Sequence, residues 1–487
     1  MKNLFSVAAL ALVATLATPQ ASQAAVFAAH LEMVDNGNGT YNLNYRLNED
    51  ANQGVTVRVK DSSDTTVRTF TLGNQSEGPQ SVVWDGKDDS AANVPTGNYT
   101  WEVEASTNQT GSGDAYVKTR DGSLYQHKFY TPYGVETVNN TASPHFGKIY
   151  VADRGGPIAG TSPQRTTSGG IYVLSADMED IDNRGELPYS GGFANAGLYT
   201  WSASGPFRLF VTDDDKLFIT ELSDSNSGIY VMDLDNPTAN FDPLFDTSIT
   251  RETDGRRLGL HGSTSSVYVE GDAANRVITT MDEDLMDGGT FDTNPQAGSI
   301  WQYELGSALS GYSTPPTVVY DDSQFSNAVV NFTTKHKKDV LPGRSGWWVS
   351  QYRAAENATN PSLFHFDGTT VDWKSSVDLP GTVDKLNNAA MDLSEDGKLI
   401  AVGGQAYFKV LNVEDLGNVN VIYEDTPSGN TKRDAAFDAA GNILLSSSSA
   451  ETVIYYSKTG ENTFTTPNPT GAEISVVNAG VDSWGLY

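Results

Sequence analysis

The densest group of side chains that could do chemistry is an acidic segment near the middle of the chain. Five carboxylates fall within eleven residues, and they are Asp282, Glu283, Asp284, Asp287 and Asp292. Carboxylate oxygens at this density are ligands that Ca²⁺ prefers. Their spacing does not follow the ordered pattern of an EF-hand loop, so the segment predicts either a calcium site or a merely acidic loop that faces solvent.

A second set of residues mixes aromatic rings with charged and amide groups. Such a mixture suits a sugar or peptide ligand, because rings stack on it while guanidinium and carboxylate groups form paired hydrogen bonds. The candidate ligand-binding residues are Asp153, Arg154, Tyr199, Trp201, Glu221, Arg257, His261, Gln351, Arg353, Lys385 and Arg433. The alternative interpretation is that the rings pack loops against a scaffold and that the charges are solvated.

Several other chemistries lack the residues that they need. The chain has no cysteine, which excludes a thiol nucleophile, a thiolate metal site and covalently attached haem. Its six histidines show neither the H-E-x-x-H nor the His-x-His pairing of a zinc hydrolase. A G-x-S-x-G nucleophile elbow and a Walker A loop are also missing. From the absence of cysteine and of a Walker A loop, we expect neither haem nor a nucleotide as a cofactor.

These candidates lie in a repeating pattern between residues 145 and 465. Each repeat has an apolar run, a tight polar turn, a second apolar run, a loop of variable length and a third run, as in Lys148–Asp153 followed by Gly170–Leu174. Six units of about fifty residues each are typical of a β-propeller. We therefore predict an all-β fold with a six- or seven-bladed propeller over residues 125–487, a seventh blade being assembled from strands near both chain ends.

The longest predicted loops join the second and third strands of three repeats, at residues 153–169, 279–299 and 351–361. In a propeller these loops share one rim with the links between blades. Because added loop length usually carries function, we expect the binding residues and the acidic segment on this rim. Lys335–Lys338 is a small basic island in an acidic protein, interpreted as an anion contact or as a solvated loop between blades.

Residues 25–112 alternate apolar and polar side chains with a period of two. Val55, Val57 and Val59 fall on one face of a strand, and the polar residues between them fall on the other. Several short strands with one apolar face predict a β-sandwich of the immunoglobulin-like kind. The polar residues 113–124, which contain glycine and serine, are predicted to be a linker to the propeller.

Part of this module resembles a known family. Val82–Trp101 is similar to the signature of the immunoglobulin-like domain found in flagellar hook-capping proteins and, as a detached module, in many exported bacterial proteins. In this resemblance Trp84 and Tyr99 would fill the core on neighbouring strands. The resemblance implies an accessory or assembly module and not catalysis.

The repeats themselves resemble, in general pattern, those of exported bacterial propellers of the NHL-like, lactonase-like and strictosidine-synthase-like kinds. Enzymes of that group hold calcium at the channel mouth through acid and amide side chains from separate blades. The comparable residues here are Asp153, Glu221 and Asn387 or Asn388. This resemblance implies the enzyme alternative, although no string of residues carries a catalytic role across.

The first 24 residues predict an export signal. Lys2 precedes an apolar stretch over residues 4–16, and small residues around Ser22 and Ala24 suit signal peptidase. Without this segment the chain has 30 basic and 61 acidic residues, a net charge of −31, which repels nucleic acid and anionic lipid. Since no later stretch is long and apolar enough to span a membrane, we expect an extracellular, cell-surface or periplasmic protein.

These observations favour an exported, non-catalytic binding or assembly protein. One propeller rim would engage an extracellular polymer, glycan or protein, and the sandwich would tether or orient the propeller. Two alternatives stay open. One is a calcium-dependent hydrolase or lyase that acts on a sugar or lactone, and the other is a subunit that associates with itself into a surface layer or filament.

Overall fold

The structure is a computed structural model that describes most of the chain. The described residues are 25–111, 113–182, 186–189, 205–222, 228–238, 241–245, 264–282, 300–314, 316–320, 333–351, 361–379, 390–404, 407–427 and 432–477. The predicted signal peptide, residues 1–24, lies outside them. Helical segments among the described residues are short, namely the 3-10 turns Tyr125–His127 and Leu416–Asn418 and the helix α1 (Ser375–Asp378). None of these helices is of a length and hydropathy that would let it cross a membrane.

The first six strands form a sandwich of two antiparallel sheets. They are β1 (Ala28–Asp35), β2 (Tyr41–Leu47), β3 (Ala51–Lys60), β4 (Thr66–Gln75), β5 (Gly78–Trp84) and β6 (Gly97–Gln109). One sheet has the order β1-β2-β5, and the other contains β4, β3 and β6 as neighbours. Alternate residues are buried along β2 and β6, which places one face of each strand in the core between the sheets.

The core of the sandwich confirms the predicted immunoglobulin-like module. Trp84 is fully buried, and its ring lies 5.5 Å from that of Tyr41 and 5.4 Å from that of Tyr99, measured between centroids. The indole N–H of Trp84 donates to the carbonyl of Lys87 at 2.9 Å, so the one polar atom of this side chain is satisfied. Trp84 and Tyr99 therefore fill the core as predicted, although they lie on strands of the two opposite sheets and not on neighbouring strands of one sheet.

The following strands form the blades of a propeller. The first is β7 (Tyr116–Arg120). Blade 1 contains β8 (Pro132–Thr137), β9 (Ile149–Asp153), a small hairpin of β10 (Gly156–Pro157) and β11 (Thr166–Thr167) in its second loop, and β12 (Gly170–Leu174). Blade 2 contains β13 (Leu209–Val211), β14 (Lys216–Glu221), β15 (Gly228–Asp233) and β16 (Asp242–Pro243). Blade 3 contains β17 (Thr264–Glu270), β18 (Arg276–Asp282), β19 (Ile300–Gly306) and β20 (Thr317–Tyr320).

The remaining blades have four strands each, as blades 2 and 3 do, whereas the sheet of blade 1 has three. Blade 4 contains β21 (Thr333–Lys338), β22 (Trp347–Gln351), β23 (Leu363–Phe366) and β24 (Val371–Lys374). Blade 5 contains β25 (Ala390–Leu393), β26 (Leu399–Gly403), β27 (Phe408–Asn412) and β28 (Asn420–Asp425). Blade 6 contains β29 (Lys432–Phe437), β30 (Ile443–Ser447) and β31 (Thr452–Lys458), and β7 is its outermost strand.

The blades are arranged around a common axis. The first strand of each blade contacts the first strand of the next, from β8 through β13, β17, β21 and β25 to β29, and β29 contacts β8 again. The described residues thus hold six blades in a closed ring, which confirms the predicted propeller. The segments considered for a seventh blade lie elsewhere, because β7 completes blade 6 and β8 opens blade 1.

The last described strands return to the sandwich. Both β32 (Gly460–Pro467) and β33 (Ile474–Val476) pair with β6. They satisfy the backbone edge that β6 would otherwise expose. The domain boundaries expected from the sequence therefore need correction, since residues 460–476 belong to the sandwich sheet and not to the propeller at 125–487, and the expected linker at 113–124 contains strand β7.

The sandwich lies against one rim of the propeller, which we call the lower rim and which carries the turns between first and second strands. Phe27 of the sandwich packs on Phe146 of blade 1 and on Phe464 of β32, at centroid distances of 5.3 and 5.9 Å. Asn442, in a lower turn of blade 6, donates to the carbonyl of Ala25 at 2.8 Å. At the opposite, upper rim the second strands end and the third strands begin, as at Asp153 and Gly170 of blade 1.

Candidate functional site

Six charged side chains from five blades meet near the propeller axis. First strands line the axis, and alternate residues along them point inward. This axial cluster consists of Glu136 on β8, Arg208 next to β13, Lys335 and Lys337 on β21, Asp392 on β25 and Asp434 on β29. It contains three acids and three bases, so its net charge is zero when all six are ionised.

The upper layer of the axial cluster joins blades 1, 2, 4 and 6. The ammonium group of Lys335 lies 2.8 Å from Asp434 Oδ1, and it also donates to the carbonyl of Ala435 at 3.1 Å. Both partners of this ion pair are buried, with side-chain exposures of 3% and 0%. Arg208 donates to the carbonyl of Tyr133, and burial lowers the pKa of its guanidinium to about 10. These groups therefore depend on one another for neutralisation.

The lower layer of the axial cluster contains Lys337, Asp392 and Glu136, and the pKa of Glu136 is raised towards neutrality. The ammonium group of Lys337 lies 2.8 Å from Asp392 Oδ1, and Asp392 Oδ2 accepts from the amide of Phe437 at 2.7 Å. Glu136 accepts through Oε1 from the amide of Thr137 at 3.2 Å, while its buried Oε2 has no hydrogen-bond partner in the described part of the chain. Burial raises the pKa of Glu136 to about 7, against the opposing effect of Lys337.

A cavity of about 190 Å³ lies below this layer, towards the lower rim. Its polar lining includes Glu136, Lys337, Asp392, Asn139, Asp213 and Glu395. A space of this size holds a few waters or a small polar ligand. Because its pKa is close to neutrality, Glu136 can both accept and release a proton there.

A cluster of rings and guanidinium groups forms the upper mouth of the axis. The guanidinium of Arg433 lies 5.1 Å from the ring centroid of Tyr133, and that ring lies 5.4 Å from the ring of Phe207. The guanidinium of Arg208 lies 4.1 Å from the ring centroid of Phe207. Arg433 Nε also donates to Ser448 Oγ at 3.0 Å. We call Tyr133, Phe207, Arg208 and Arg433 the upper-mouth cluster. Tyr133, Phe207 and Arg208 are buried and pack on one another, and Arg433 is the partly exposed member that could contact a ligand.

Three other predicted binding residues end the second strands of their blades. Asp153, Glu221 and Gln351 are all buried. Asp153 accepts from the amide of Thr131 at 2.7 Å, and burial raises the pKa of its carboxyl. Gln351 donates to the carbonyl of Pro361 at 2.7 Å. The hydrogen bonds of Asp153 and Gln351 hold backbone of the adjoining segments.

The remaining predictions divide between the rim and the parts of the chain outside the described residues. Arg154 is partly exposed on the upper rim and lies 5.5 Å from the ring centroid of Tyr130. Asp282 is the last residue of β18, but its side chain is outside the description. The predictions that lie wholly outside it are Tyr199, Trp201, Arg257, His261, Arg353, Lys385, Glu283, Asp284, Asp287, Asp292, Asn387 and Asn388. Calcium binding by the acidic segment stays a prediction.

Most of the axial cluster was not found from the sequence. The basic island Lys335–Lys338 is strand β21 and not a loop, and Lys335 and Lys337 extend to acids on blades 6 and 5. The available signal was the spacing of two residues between these lysines, which puts them on the same face of a strand. Their partners, Asp434 and Asp392, are far away in sequence and carried no comparable signal.

Comparison with known proteins identifies the N-terminal module. The family model described as FlgD Ig-like domain matches residues 31–109. The structure of FlgD from P. aeruginosa is 31% identical over 19% of this chain and 67% of its own length, with a TM-score of 0.15. The N-terminal module is therefore an immunoglobulin-like domain of the FlgD type. No curated protein matches the chain.

Solved structures that extend over the propeller are more distant. A protein of unknown function from Bacteroides thetaiotaomicron is 11% identical and aligns with 90% of this chain and 99% of its own, with a TM-score of 0.42. The WD40 β-propeller domain of Doa1 is 11% identical and aligns with 72% of this chain and 97% of its own, with a TM-score of 0.32. The ring of six sheets, and not these similarities, identifies the propeller.

Proposed function

We propose that this chain is an exported, non-catalytic binding or assembly protein that engages a polymer, glycan or protein through the upper rim of its propeller. The observation that carries the proposal is a set of partly exposed groups on the rim opposite the sandwich, namely Arg433 at the mouth of the axis and Arg154 with the ring of Tyr130 beside it. The FlgD-type module is attached to the lower rim, so it leaves the upper rim free for a partner.

The charges on the axis support a binding role over the calcium-dependent enzyme. A calcium site at the axis would need several acids with free oxygens, drawn from separate blades. Among the described axial acids, Asp434 and Asp392 each form a close ion pair with a lysine. Calcium would have to displace both lysines from a buried position, which leaves two unpaired cations.

A glycan array and a set of isolated cell-envelope polymers test the proposal directly. The probe is residues 25–487, and the test variant is Arg433→Ala, because this side chain lies at the mouth and contacts the ring of Tyr133. Loss of an arginine at a binding surface is expected to weaken binding about tenfold or more.

The control for this experiment is Lys398→Ala on the lower rim, where the lysine pairs with Glu414 at 3.3 Å and is partly exposed. This variant is expected to bind like the wild type. Equal losses in both variants, or no binding of the wild type to any glycan or envelope polymer, would contradict the proposal.

Glu136 favours a second candidate function, a hydrolase or lyase that acts on a sugar or lactone. Its pKa of about 7 and its unpartnered oxygen beside a cavity suit general acid and base catalysis. If this alternative is correct, a panel of lactones and glycosides with added Ca²⁺ will reveal turnover that Glu136→Gln lowers by about a hundredfold.

The pH profile separates the two functions further. An enzyme that uses Glu136 is expected to change rate around neutral pH, where this carboxyl titrates. Absence of turnover across the panel, or turnover that Glu136→Gln leaves intact, would remove the second candidate.

A further inference from the structure

A group of metal-ligand side chains lies on the lower rim, outside the axial cluster. It consists of His145 before β9, Asp215 in the turn between β13 and β14, and Asp235 after β15. One potential ligand atom from each residue lies within 4.8 Å of the others. His145 Nε2 is 3.1 Å from Asp235 Oδ1. Three separate turns of two blades thus bring one imidazole and two carboxylates together.

Hydrogen bonds fix these turns relative to one another. Ser143 Oγ donates to Asp215 Oδ1 at 2.5 Å, and the amide of Leu234 donates to the carbonyl of Asp215 at 3.0 Å. The side chain of Asn140 donates to the carbonyl of Asp213 at 2.9 Å. These hydrogen bonds hold the turns and the carboxylate of Asp215 in place before any ion arrives. The exposed carboxylate of Asp235 is positioned by its contact with His145 Nε2.

The two carboxylates have no ion pair with lysine or arginine among the described residues. The nearby Lys148 and Lys216 are bound to Asp182 and Asp233, each at 2.8 Å. A divalent ion between Asp215 and Asp235 would therefore supply the direct cationic partner that the described lysines and arginines do not.

The imidazole of His145 is oriented so that one ring nitrogen faces the site. Most of this side chain is buried, and Nε2 lies 3.1 Å from Asp235 Oδ1, while the other nitrogen, Nδ1, is inaccessible and has no hydrogen-bond partner in the described part of the chain. Nε2 is therefore the nitrogen that would coordinate an ion together with the two carboxylates.

We propose that His145, Asp215 and Asp235 bind one divalent transition-metal ion of the zinc type. One imidazole nitrogen and two carboxylate oxygens are ligands that Zn²⁺ accepts, and water would complete the coordination. Calcium is disfavoured because it takes oxygen ligands only. The site differs in chemistry from the predicted calcium segment, which offers carboxylates alone.

Equilibrium dialysis of residues 25–487 against ZnCl₂ tests this site. The wild type is expected to retain one Zn²⁺ per chain, and His145→Gln and Asp235→Asn are each expected to weaken its binding about tenfold or more. Asp235→Asn is the safer variant for folding, since this side chain is 64% exposed. A tenfold excess of Ca²⁺ is expected to leave the bound zinc in place.

The matched control is Asp182→Asn, which removes an acid of the same rim that is already paired with Lys148. It is expected to bind Zn²⁺ like the wild type. Failure of the wild type to retain zinc, retention by both ligand variants, or displacement of zinc by Ca²⁺ would each overturn the proposal.

Discussion

Replacement of Lys335 with methionine is expected to lower the free energy of unfolding by about 3 to 5 kcal/mol. The reason is that Asp434, which is fully buried, would lose the ammonium group 2.8 Å from its Oδ1 atom. Breaking one partner of a buried ion pair leaves the other charge uncompensated, and that cost exceeds what the pair itself contributes. Urea unfolding followed by tryptophan fluorescence measures the change.

The same strand supplies a matched control. Lys338 pairs with Glu270 at 2.6 Å, but the two side chains are 41% and 39% exposed. Lys338→Met is therefore expected to cost less than about 1 kcal/mol, because solvent screens an exposed pair. A chain that carries both Lys335→Met and Asp434→Asn should recover much of the lost stability. If Lys335→Met lowers the free energy of unfolding no more than Lys338→Met does, the prediction that an unpaired Asp434 destabilises the propeller is wrong.

The propeller could be predicted because its second and third strands are buried on both faces. Strands such as β9 and β12 are therefore almost continuously apolar, and the tight turns between runs mark the strand boundaries. A periodic pattern of this kind is local, so it can be read along the chain. It identified the blades without showing which strands pair over long distances.

The errors in the domain boundaries have this physical origin. Strand β7 pairs with β31, and β32 pairs with β6, so each pair joins residues that are more than 300 positions apart. Alternation of side chains shows that a segment is a strand, but not which edge it will complete. Composition could therefore not reveal that β7 completes the last blade or that β32 joins the sheet of the sandwich.

The candidate site was less predictable than the fold. Asp153 and Gln351 adjoin long loops, which makes them binding candidates in the sequence, yet each hydrogen-bonds backbone of a neighbouring segment. Lys335 and Lys337 resembled surface residues because a buried charge is recognisable only together with its partner. In both cases the role depends on contacts between blades or loops, and these appear only in three dimensions.

The contact between sandwich and propeller contains a second group of buried acids. Glu49 of the sandwich accepts a hydrogen bond from Ser457 Oγ of β31, and Asp438 accepts one from Tyr455 Oη at 2.6 Å. Asn48 also donates to the hydroxyl oxygen of Tyr455 at 3.0 Å. Acidic groups from both domains are thus held in the interface, which couples its stability to pH.

Replacement of Glu49 with glutamine is expected to stabilise the protein in mildly alkaline solution. Burial raises the pKa of Glu49 from 4.5 to about 8, although the hydrogen bond from Ser457 and the charge of Arg120 oppose the shift. Between these two values the folded state binds a proton that the unfolded chain has released, so stability falls as pH rises through this window. The full penalty, up to about 5 kcal/mol, is present above the folded pKa.

Glutamine resembles the protonated form of Glu49, because it carries no charge and its carbonyl can still accept from Ser457. Glu49→Gln is therefore expected to match the wild type near about pH 5 and to exceed it by several kcal/mol near about pH 9. The buried His30 and His336, whose pKa values are each lowered to about 3, destabilise the fold as pH falls below 6.5, but they do so equally in both proteins.

Urea unfolding at both pH values measures the difference, and Glu77→Gln is its control. Glu77 is 58% exposed and pairs with Arg120 at 2.7 Å, so its replacement removes a carboxyl near the same interface without removing a buried one. This control should change stability by less than about 1 kcal/mol at either pH. Parallel pH dependences for Glu49→Gln and the wild type would contradict the prediction, because they would mean that folding does not raise the pKa of Glu49.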